Sequence, residues 1–138
     1  LPSRDLLERF WRGVLAMPTR AVFVARLDGV ICGTAQLIFP ARSNEAQSFA
    51  ATMTTVFIAP WARGQGLSRM LVEDIERNAR EEGISVINLD VRETQEAAIR
   101  LYESMGYTHF GTNPVYARIE GKFVPGRYYF KVIDPALK

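Results

Sequence analysis

The strongest constraint on the fold is residues 55–83, where a strand, a glycine-containing turn and a helix follow one another directly. The β-branched and aromatic residues at 55–58 are typical of a strand, and Gly64 and Gly66 come soon after them. Apolar residues then recur every three or four positions, which predicts an amphipathic helix from about Gly66 to Glu82. Its apolar stripe consists of Leu67, Met70, Leu71, Ile75 and Ala79.

The opposite face of this helix is charged. Glu73 precedes Arg77 by one turn, and Glu76 precedes Arg80 in the same way, which is the favourable order for an ion pair along a helix. Gly83 stands where glycine commonly follows the last helical turn. We therefore expect these charges to lie away from the core.

The turn before the helix has the chemistry of an anion site. The first N–H groups of a helix have no intrahelical partner, and the helix dipole adds positive potential there. Gly64 and Gly66 carry no side chain to keep an anion away, and Arg63 adds a guanidinium suited to phosphate. The residues alone also allow a tight strand–helix connection with Arg63 as a solvated charge. A P-loop and a dinucleotide fingerprint are excluded, because Gly-Lys-Ser/Thr and the third glycine are missing.

Residues 63–68, Arg-Gly-Gln-Gly-Leu-Ser, resemble the Arg/Gln-x-x-Gly-x-Gly/Ala signature of the GNAT superfamily of acyl-CoA-dependent N-acyltransferases. The strand-Pro-aromatic sequence at residues 58–61 is similar to the segment that leads into that signature. The resemblance implies that this turn holds the pyrophosphate of coenzyme A. Ser68 stands where the family has glycine or alanine, and its small side chain is expected to be tolerated.

A second segment, residues 90–107, carries the same resemblance. Gln95, Ala98, Leu-Tyr-Glu at 101–103 and Gly-Tyr at 106–107 are similar to the family's Asn-x-x-Ala, Leu-Tyr-Glu and Gly-Phe/Tyr elements, with Gln95 in place of asparagine. Main-chain groups of the strand that ends near residue 58 are implied to face the pantetheine amides and the thioester carbonyl. The implied cofactor-binding residues are Phe57, Ile58, Arg63, Gly64, Gln65, Gly66, Leu67, Ser68, Arg69, Gln95, Ala98 and Tyr102.

Tyr102 is the candidate catalytic residue, because the family's tyrosine at the matching position protonates the departing thiolate. A phenol with a pKa of about 10 can donate to a thiolate whose thiol has a pKa of about 8.5 without a large shift. On the residues alone, Tyr102 also fits a core position on an apolar helix face. No base is assigned: the strand at residues 50–56 lacks the glutamate of many relatives, and Asp90, Glu93 and His109 are each interpreted as surface or structural.

The N-terminal half predicts one helix and three strands. Ser3 is a candidate N-cap for a helix that ends at residues 17–18 and covers the sheet. The helical spacing is that of Leu7, Phe10, Trp11 and Val14. Residues 21–27 and 30–39, on either side of Asp28-Gly29, predict a hairpin. Residues 41–48 have no period and are interpreted as a loop, and residues 49–58 predict the strand that enters the glycine turn.

The C-terminal half predicts a strand, a shorter helix and two more strands. Ile87, Leu89 and Val91 alternate with polar residues, so a parallel strand–helix–strand crossover is expected. Thr94 is the expected N-cap of the second helix, with Glu96 in its first turn, and Gly106 ends it. The apolar face of that helix is Ala98, Leu101, Tyr102 and Met105. Strands at 107–119 and 127–133 are expected to be joined through Glu120-Gly121 and Pro125-Gly126.

These elements predict an α/β chain of the α+β type, built as one domain over residues 1–138 around a mixed twisted sheet. The GNAT resemblance implies a mostly antiparallel sheet, one parallel crossover at the cofactor site, and helices on both faces. GNAT domains usually begin with a strand and a helix ahead of the segment matched by residues 7–17. We therefore expect this domain to lack that first strand and helix, either because the sequence is a fragment of a longer protein or because this member is trimmed at that edge.

Composition excludes several classes of function. With 138 residues, 48% of them hydrophobic, the chain can bury a core, and no apolar stretch is long enough to span a membrane. A net charge of +2 and the absence of an aromatic-rich basic run argue against nucleic acid. One histidine and one cysteine make a metal site unexpected and an internal disulfide impossible, and Cys32 is interpreted as a buried thiol. No secretion signal is recognised, so a cytoplasmic location is expected.

The C-terminal strands are rich in aromatic residues, which predicts an aromatic wall around an acceptor site. The cluster comprises Tyr116, Phe123, Tyr128, Tyr129 and Phe130, with Arg118 and Arg127. Ordinary cross-strand aromatic pairs would give the same pattern. The resemblance implies an N-acetyltransferase that moves an acetyl group from acetyl-CoA to a primary amine of a small molecule. Acetylation of a protein lysine or N-terminal amine, or a non-catalytic acyl-CoA-binding module, are the alternatives, and a homodimer is one option for assembly.

Overall fold

The structure is a computed structural model that describes residues 8–14, 17–41 and 43–137. Within that part of the chain there are seven strands, two α-helices and short 3₁₀ turns. In chain order the strands and helices are β1 (Glu8–Val14), β2 (Met17–Leu27), β3 (Val30–Ile38), β4 (Ala50–Ile58), α1 (Leu67–Glu81), β5 (Val86–Arg92), α2 (Glu96–Ser104), β6 (Thr108–Ile119) and β7 (Lys122–Val132).

All the strands form one sheet in the order β1-β2-β3-β4-β5-β7-β6. Neighbours are antiparallel except β4 and β5, which are parallel and are connected through α1. The α/β class and the mixed sheet with one parallel crossover are therefore confirmed. The β2–β3 hairpin is also confirmed, and Asp28 and Gly29 both have positive φ (51° and 79°), as a tight two-residue turn requires.

The expected N-terminal helix is wrong over the residues that the structure describes. Residues 8–14 form strand β1, which pairs antiparallel with β2 from Glu8 opposite Arg26 onwards. Ser3 and Leu7 lie outside the described residues. A short apolar run with aromatic residues fits either a helix or a strand, and here pairing with the free edge of β2 decides the outcome.

Two boundaries in the C-terminal half also differ from prediction. Gln95, not Thr94, is the N-cap of α2, and its side chain makes no capping hydrogen bond. The β6–β7 turn uses Glu120 and Gly121 alone, whereas Pro125 and Gly126 lie inside β7. A single two-residue turn is sufficient because β7 begins at Lys122, five residues earlier than expected, and pairs with β6 up to that turn.

The core lies between the sheet and α1. Four residues of the α1 stripe are buried, and Met70 packs against them, as predicted. Alternate residues of β2 and β5 are buried against the same layer. The buried stripe residues are Leu67, Leu71, Ile75 and Ala79, and their strand partners include Phe23, Leu27, Ile87 and Leu89.

Both described helices lie on one face of the sheet. Lys131 and Tyr129, two residues apart on β7, project from the same face. Lys131 contacts Glu76 of α1, and Tyr129 contacts Glu103 of α2. A helix on the other face is not found among the described residues, where the N-terminal segment expected to be a helix covering the sheet forms β1.

The charged face of α1 also differs from prediction. Glu76 is 5% exposed and accepts hydrogen bonds from Lys131 Nζ at 2.9 Å and from the Tyr107 hydroxyl at 2.9 Å, so it faces the sheet and not Arg80. Arg77 pairs with Asp74 at 2.9 Å. Partners supplied by the sheet stabilise a buried carboxylate that the helical pattern alone placed in solvent.

None of the helices in the described part of the chain combines the length and apolar character needed to cross a membrane.

Candidate functional site

The two parallel strands diverge after a short ladder. β4 and β5 pair only over Ala50–Thr52 and Val86–Asn88, although β4 continues to Ile58 and β5 to Arg92. Beyond Thr52 and Asn88 the facing edges of the two strands are free of ladder hydrogen bonds. A gap lined by unpaired backbone groups therefore opens in the middle of the sheet.

A bulge on the other edge of β4 contributes to this divergence. Between the pairs Gln36–Thr54 and Thr34–Phe57, two residues of β4 stand opposite Ala35 alone. An extra residue bends a strand and increases its twist. Phe57 and Ile58, the residues predicted to act through their main chains, follow immediately after this bulge.

The glycine turn has the geometry of an anion site. Gly64 and Gly66 have φ of 80° and 75°, where residues with a Cβ are strained, and nothing lies within 4 Å of a Cβ built at either position. Gly66 caps α1 without a side-chain hydrogen bond, so the N–H groups of the first turn stay available. Arg63 donates from Nε to the Ile58 carbonyl at 3.1 Å, which ties its guanidinium to the end of β4.

One cleft of about 930 Å³ connects the turn, the strand gap and α2. Of the twelve predicted cofactor-binding residues, all but Gln65 line it. The lining includes both Val91, on the helix-bearing face of β5, and Asp90, which points to the opposite face. The cleft therefore passes through the sheet where β4 and β5 diverge.

Tyr102 lies in this cleft on α2. The residue is 6% exposed, and its ring packs edge-on against Tyr107 with centroids 5.8 Å apart. Among the described residues its hydroxyl has no hydrogen-bond partner, in contrast to that of Tyr107. Burial raises the pKa of Tyr102 to about 12, so the expectation of a phenol without a large shift is wrong. The hydroxyl is kept protonated and is free to donate.

The aromatic cluster divides between different environments. Tyr129 is fully buried and donates to Glu103, while Phe123 is exposed beneath the Arg118 guanidinium. Phe130 lines a separate cavity of about 520 Å³ on the face of the sheet opposite the described helices, and none of the predicted cofactor-binding residues lines it. Only Tyr116 lines the main cleft. Strand alternation separates residues that are adjacent in sequence.

Of the three carboxylate or imidazole candidates, only Asp90 lines the cleft. It accepts a hydrogen bond from the Tyr116 hydroxyl at 2.8 Å. Burial, followed by this hydrogen bond, raises the pKa of Tyr116 to about 12. Glu93 lies 3.4 Å from Arg127, and His109 contacts Gly111 and Thr112, outside the cleft.

Sequence reasoning missed several lining residues. They are Met53, Thr54, Val56, Ala62, Val91, Arg92, Ala97 and Leu101. Most lie on β4 and β5, and position beside the predicted motifs was the only available signal for them. Three or more ligand-type side chains arranged to hold a metal ion are not found among residues 8–14, 17–41 and 43–137.

Comparisons with known proteins agree with this architecture. The sequence model of the acetyltransferase (GNAT) family matches residues 2–107. An N-acetyltransferase from the hisH-hisA intergenic region of Azospirillum brasilense is 61% identical over 94 residues, which are 68% of this chain and 56% of that protein. The N-alpha-acetyltransferase RimI of Mycobacterium tuberculosis is 30% identical over 107 residues, 78% of this chain and 64% of that protein. The chain thus spans less than two thirds of either relative.

A solved structure gives the same result. The acetyltransferase yncA of Salmonella typhimurium, solved with its cofactor acetyl-CoA, superposes with a TM-score of 0.74 at 25% identity, over 83% of this chain and 65% of that one. The fold, the sequence signature and the match over residues 2–107 lead to one conclusion. This chain belongs to the GNAT family of acetyltransferases.

Proposed function

We propose that this protein transfers the acetyl group of acetyl-CoA to a primary amine of a small molecule. The observation that carries the proposal is one cleft that joins an anion site, a gap between parallel strands and the Tyr102 hydroxyl, which has no partner among the described residues. GNAT acetyltransferases use acetyl-CoA as acyl donor, so acetyl-CoA is the molecule that this cleft should hold.

The residues fit acetyl-CoA on three counts. The N–H groups at the start of α1 and the guanidinium of Arg63 suit a pyrophosphate. The open space at Gly64 and Gly66 lets that group approach the backbone. The unpaired edges of β4 and β5 offer N–H and C=O groups to amides.

Acetyl-CoA held by the glycine turn and the strand edges would supply a thioester, at which a C–N bond to the acceptor amine would replace the C–S bond. Main-chain N–H groups near Phe57 and Ile58 stabilise negative charge on the carbonyl oxygen. The Tyr102 hydroxyl donates a hydrogen bond to the sulfur as negative charge develops on it. The amine releases one proton to water and the departing sulfur takes up one proton from water, so Tyr102 stays protonated. The protons therefore balance without a further reactant.

The acceptor enters on the face of the sheet opposite the described helices. There the cleft is lined by the side chains of Phe57, 54% exposed, Tyr116 and Asp90. An apolar wall beside a polar group suits a small molecule with an apolar body.

A thermal-shift and turnover experiment tests the proposal. Saturating acetyl-CoA at about 100 times its dissociation constant should raise the stability of the native protein by about 2.7 kcal/mol. Gly66→Asp should abolish that shift, because it adds a negative charge to the anion site. Gly83→Asp is the matched control: Gly83 has a similar φ of 81° and equal free space, at the far end of α1. Loss of the shift in both variants, or in neither, contradicts the assignment.

Turnover is then followed as thiol release with a panel of small amines. Failure of every amine in a protein that binds acetyl-CoA would reject the transfer reaction and leave a binding module. A second candidate function, acetylation of a protein N-terminal amine, is favoured by the relative named an N-alpha-acetyltransferase. Release of thiol with N-terminal peptides, but not with small amines, would select that candidate.

A further inference from the structure

The lining charges of the cleft are unevenly distributed. Arg63 and Arg69 lie at the start of α1, together with the free N–H groups of the first turn. Asp90 is the single carboxylate among the lining residues, and it lies beyond the strand gap on the opposite face of the sheet. Arg92 lines the cleft on the same face of β5 as Asp90, so the two ends differ in that only the Asp90 end offers a carboxylate to a cation.

Tyr116 holds this carboxylate from two strands away. In β6, residues 114–116 stand opposite Pro125 alone, since Asn113 pairs with Gly126 and Ala117 with Val124. This bulge directs the Tyr116 ring across β7 to Asp90 on β5.

The path of the ring depends on Gly126. A Cβ built at position 126 would overlap three ring carbons of Tyr116, so only glycine lets the ring lie against the strand. The ring also meets Tyr128 edge-on, with centroids 6.0 Å apart and an interplanar angle of 84°. The Tyr116 side chain, which orients Asp90, is thus held by three contacts: with the backbone at Gly126, with the ring of Tyr128 and with the Asp90 carboxylate.

Asp90 keeps capacity for a further partner. A carboxylate has about four lone-pair sites, and the Tyr116 hydroxyl occupies one of them. Arg92, on the same face of β5 and also lining the cleft, forms no ion pair with Asp90 among the described residues. The remaining acceptor sites are therefore open to a donor that arrives through the cleft.

We propose that Asp90 and Tyr116 form the acceptor-recognition pair: Asp90 binds the ammonium group of a cationic amine, and Tyr116, lying over Gly126, is the positioning residue for that carboxylate. This inference rests on the proposed function and narrows its substrate class. The acceptor is an alkylamine with an apolar body, which binds as its ammonium form and releases one proton to water before the neutral amine attacks the thioester. An uncharged arylamine of the same size would lack the contact.

Two amines of matched size test the pair. Phenethylamine is cationic at neutral pH, whereas 4-ethylaniline is uncharged. KM and kcat are measured for both amines in the full chain and in its Asp90→Asn, Tyr116→Phe and Gly126→Ala variants. Calorimetric binding of phenethylamine to the protein loaded with coenzyme A gives a readout that does not depend on turnover.

Asp90→Asn should raise KM for phenethylamine about tenfold and leave KM for 4-ethylaniline unchanged. A tenfold change lies between the loss expected for an exposed ion pair and that expected for a buried one. Tyr116→Phe and Gly126→Ala should each raise KM for phenethylamine about threefold, because each removes one hydrogen bond to the carboxylate. Calorimetric affinity should fall in the same order. Asp90 is exposed, and its replacement should leave the melting temperature unchanged.

Equal losses for both amines would show a general structural role and overturn the inference. Unchanged KM for phenethylamine in Asp90→Asn, or no calorimetric binding to the wild-type protein, would also overturn it. Binding of phenethylamine that depends on Asp90, without any acetyl transfer, would instead support the recognition pair and reject the proposed function. The two failures are therefore distinguishable.

Discussion

Replacing Tyr102 with phenylalanine should lower kcat by about 100-fold, at the low end of the range for a general acid. The low end is expected because burial raises the pKa of Tyr102 to about 12, whereas a thiol has a pKa of about 8.5. Complete proton transfer to a free thiolate is uphill by about 3.5 pKa units, or about 5 kcal/mol. The tyrosine therefore acts mainly by donating a hydrogen bond as charge develops on sulfur.

The stability of the same variant separates chemistry from folding. The Tyr102 hydroxyl has no partner among the described residues, so its removal should leave the free energy of unfolding unchanged or slightly raised. Tyr107→Phe is the matched control, since Tyr107 packs against Tyr102 but donates to buried Glu76 at 2.9 Å. The control should lose about 1.5–3 kcal/mol of stability and keep its kcat.

High pH provides an independent check. The pKa of Tyr102 is raised in the folded state, so its contribution is complete below the unfolded pKa of about 10 and is lost as pH rises towards 12. Wild-type protein should lose about 3 kcal/mol from this residue over that interval, and Tyr102→Phe should be spared that loss.

Steady-state thiol release with saturating acetyl-CoA measures kcat, and urea unfolding measures stability. A Tyr102→Phe enzyme with wild-type kcat would refute the assignment of the acid. Equal losses of kcat in Tyr102→Phe and Tyr107→Phe would refute it as well, because the effect would then follow from packing.

Three further results are expected. Glu76→Gln should cost about 3–5 kcal/mol in urea unfolding, because it leaves partly buried Lys131 without its counter-charge; a cost below 1 kcal/mol would contradict this pairing. Gly33→Ala should destabilise by about 1–3 kcal/mol and raise KM for acetyl-CoA, because the new Cβ would lie 2.6 Å from the Ile58 side chain beside the strand gap; unchanged KM would show that Ile58 does not position the cofactor. Cys32, 2% exposed with its pKa raised by burial, should resist alkylation until the protein unfolds, and rapid labelling of native protein would contradict that burial.

Local patterns predicted the elements that carry their own signal. The stripe from Leu67 to Ala79 defined α1 almost to the residue, and the positive φ of Gly66 and Gly83 matches their places at its two ends. The alternation in β5 identified its buried face. In each case the period of the side chains and the geometry of the backbone are set by the same short segment.

Features that depend on distant segments were not predictable in the same way. Phe10 and Trp11 have helical spacing, but β1 forms because β2 offers a pairing edge. The helical pattern predicts that Glu76 is a surface charge, whereas the fold places Lys131, 55 residues away in sequence, beside it. The hydrogen bond from Tyr116 to Asp90 requires a bulge in one strand and a glycine in another. Neither the pairing of β1 with β2 nor the bulge in β6 has a signature in the neighbouring sequence.

The short ladder between β4 and β5 has a mechanical consequence. It joins two antiparallel blocks, β1 to β4 and β5-β7-β6, through only three residue pairs. Separating β4 from β5 breaks far fewer hydrogen bonds than deforming either block. Local opening of the domain should therefore occur mainly at this ladder, with each block moving as a unit. Backbone amides at 53–58 and 89–92 should gain protection from hydrogen exchange when a ligand bridges the two strands. A ligand in the cleft would then make the whole sheet more rigid, and the cofactor would stabilise the contact between the two blocks as well as donate the acyl group.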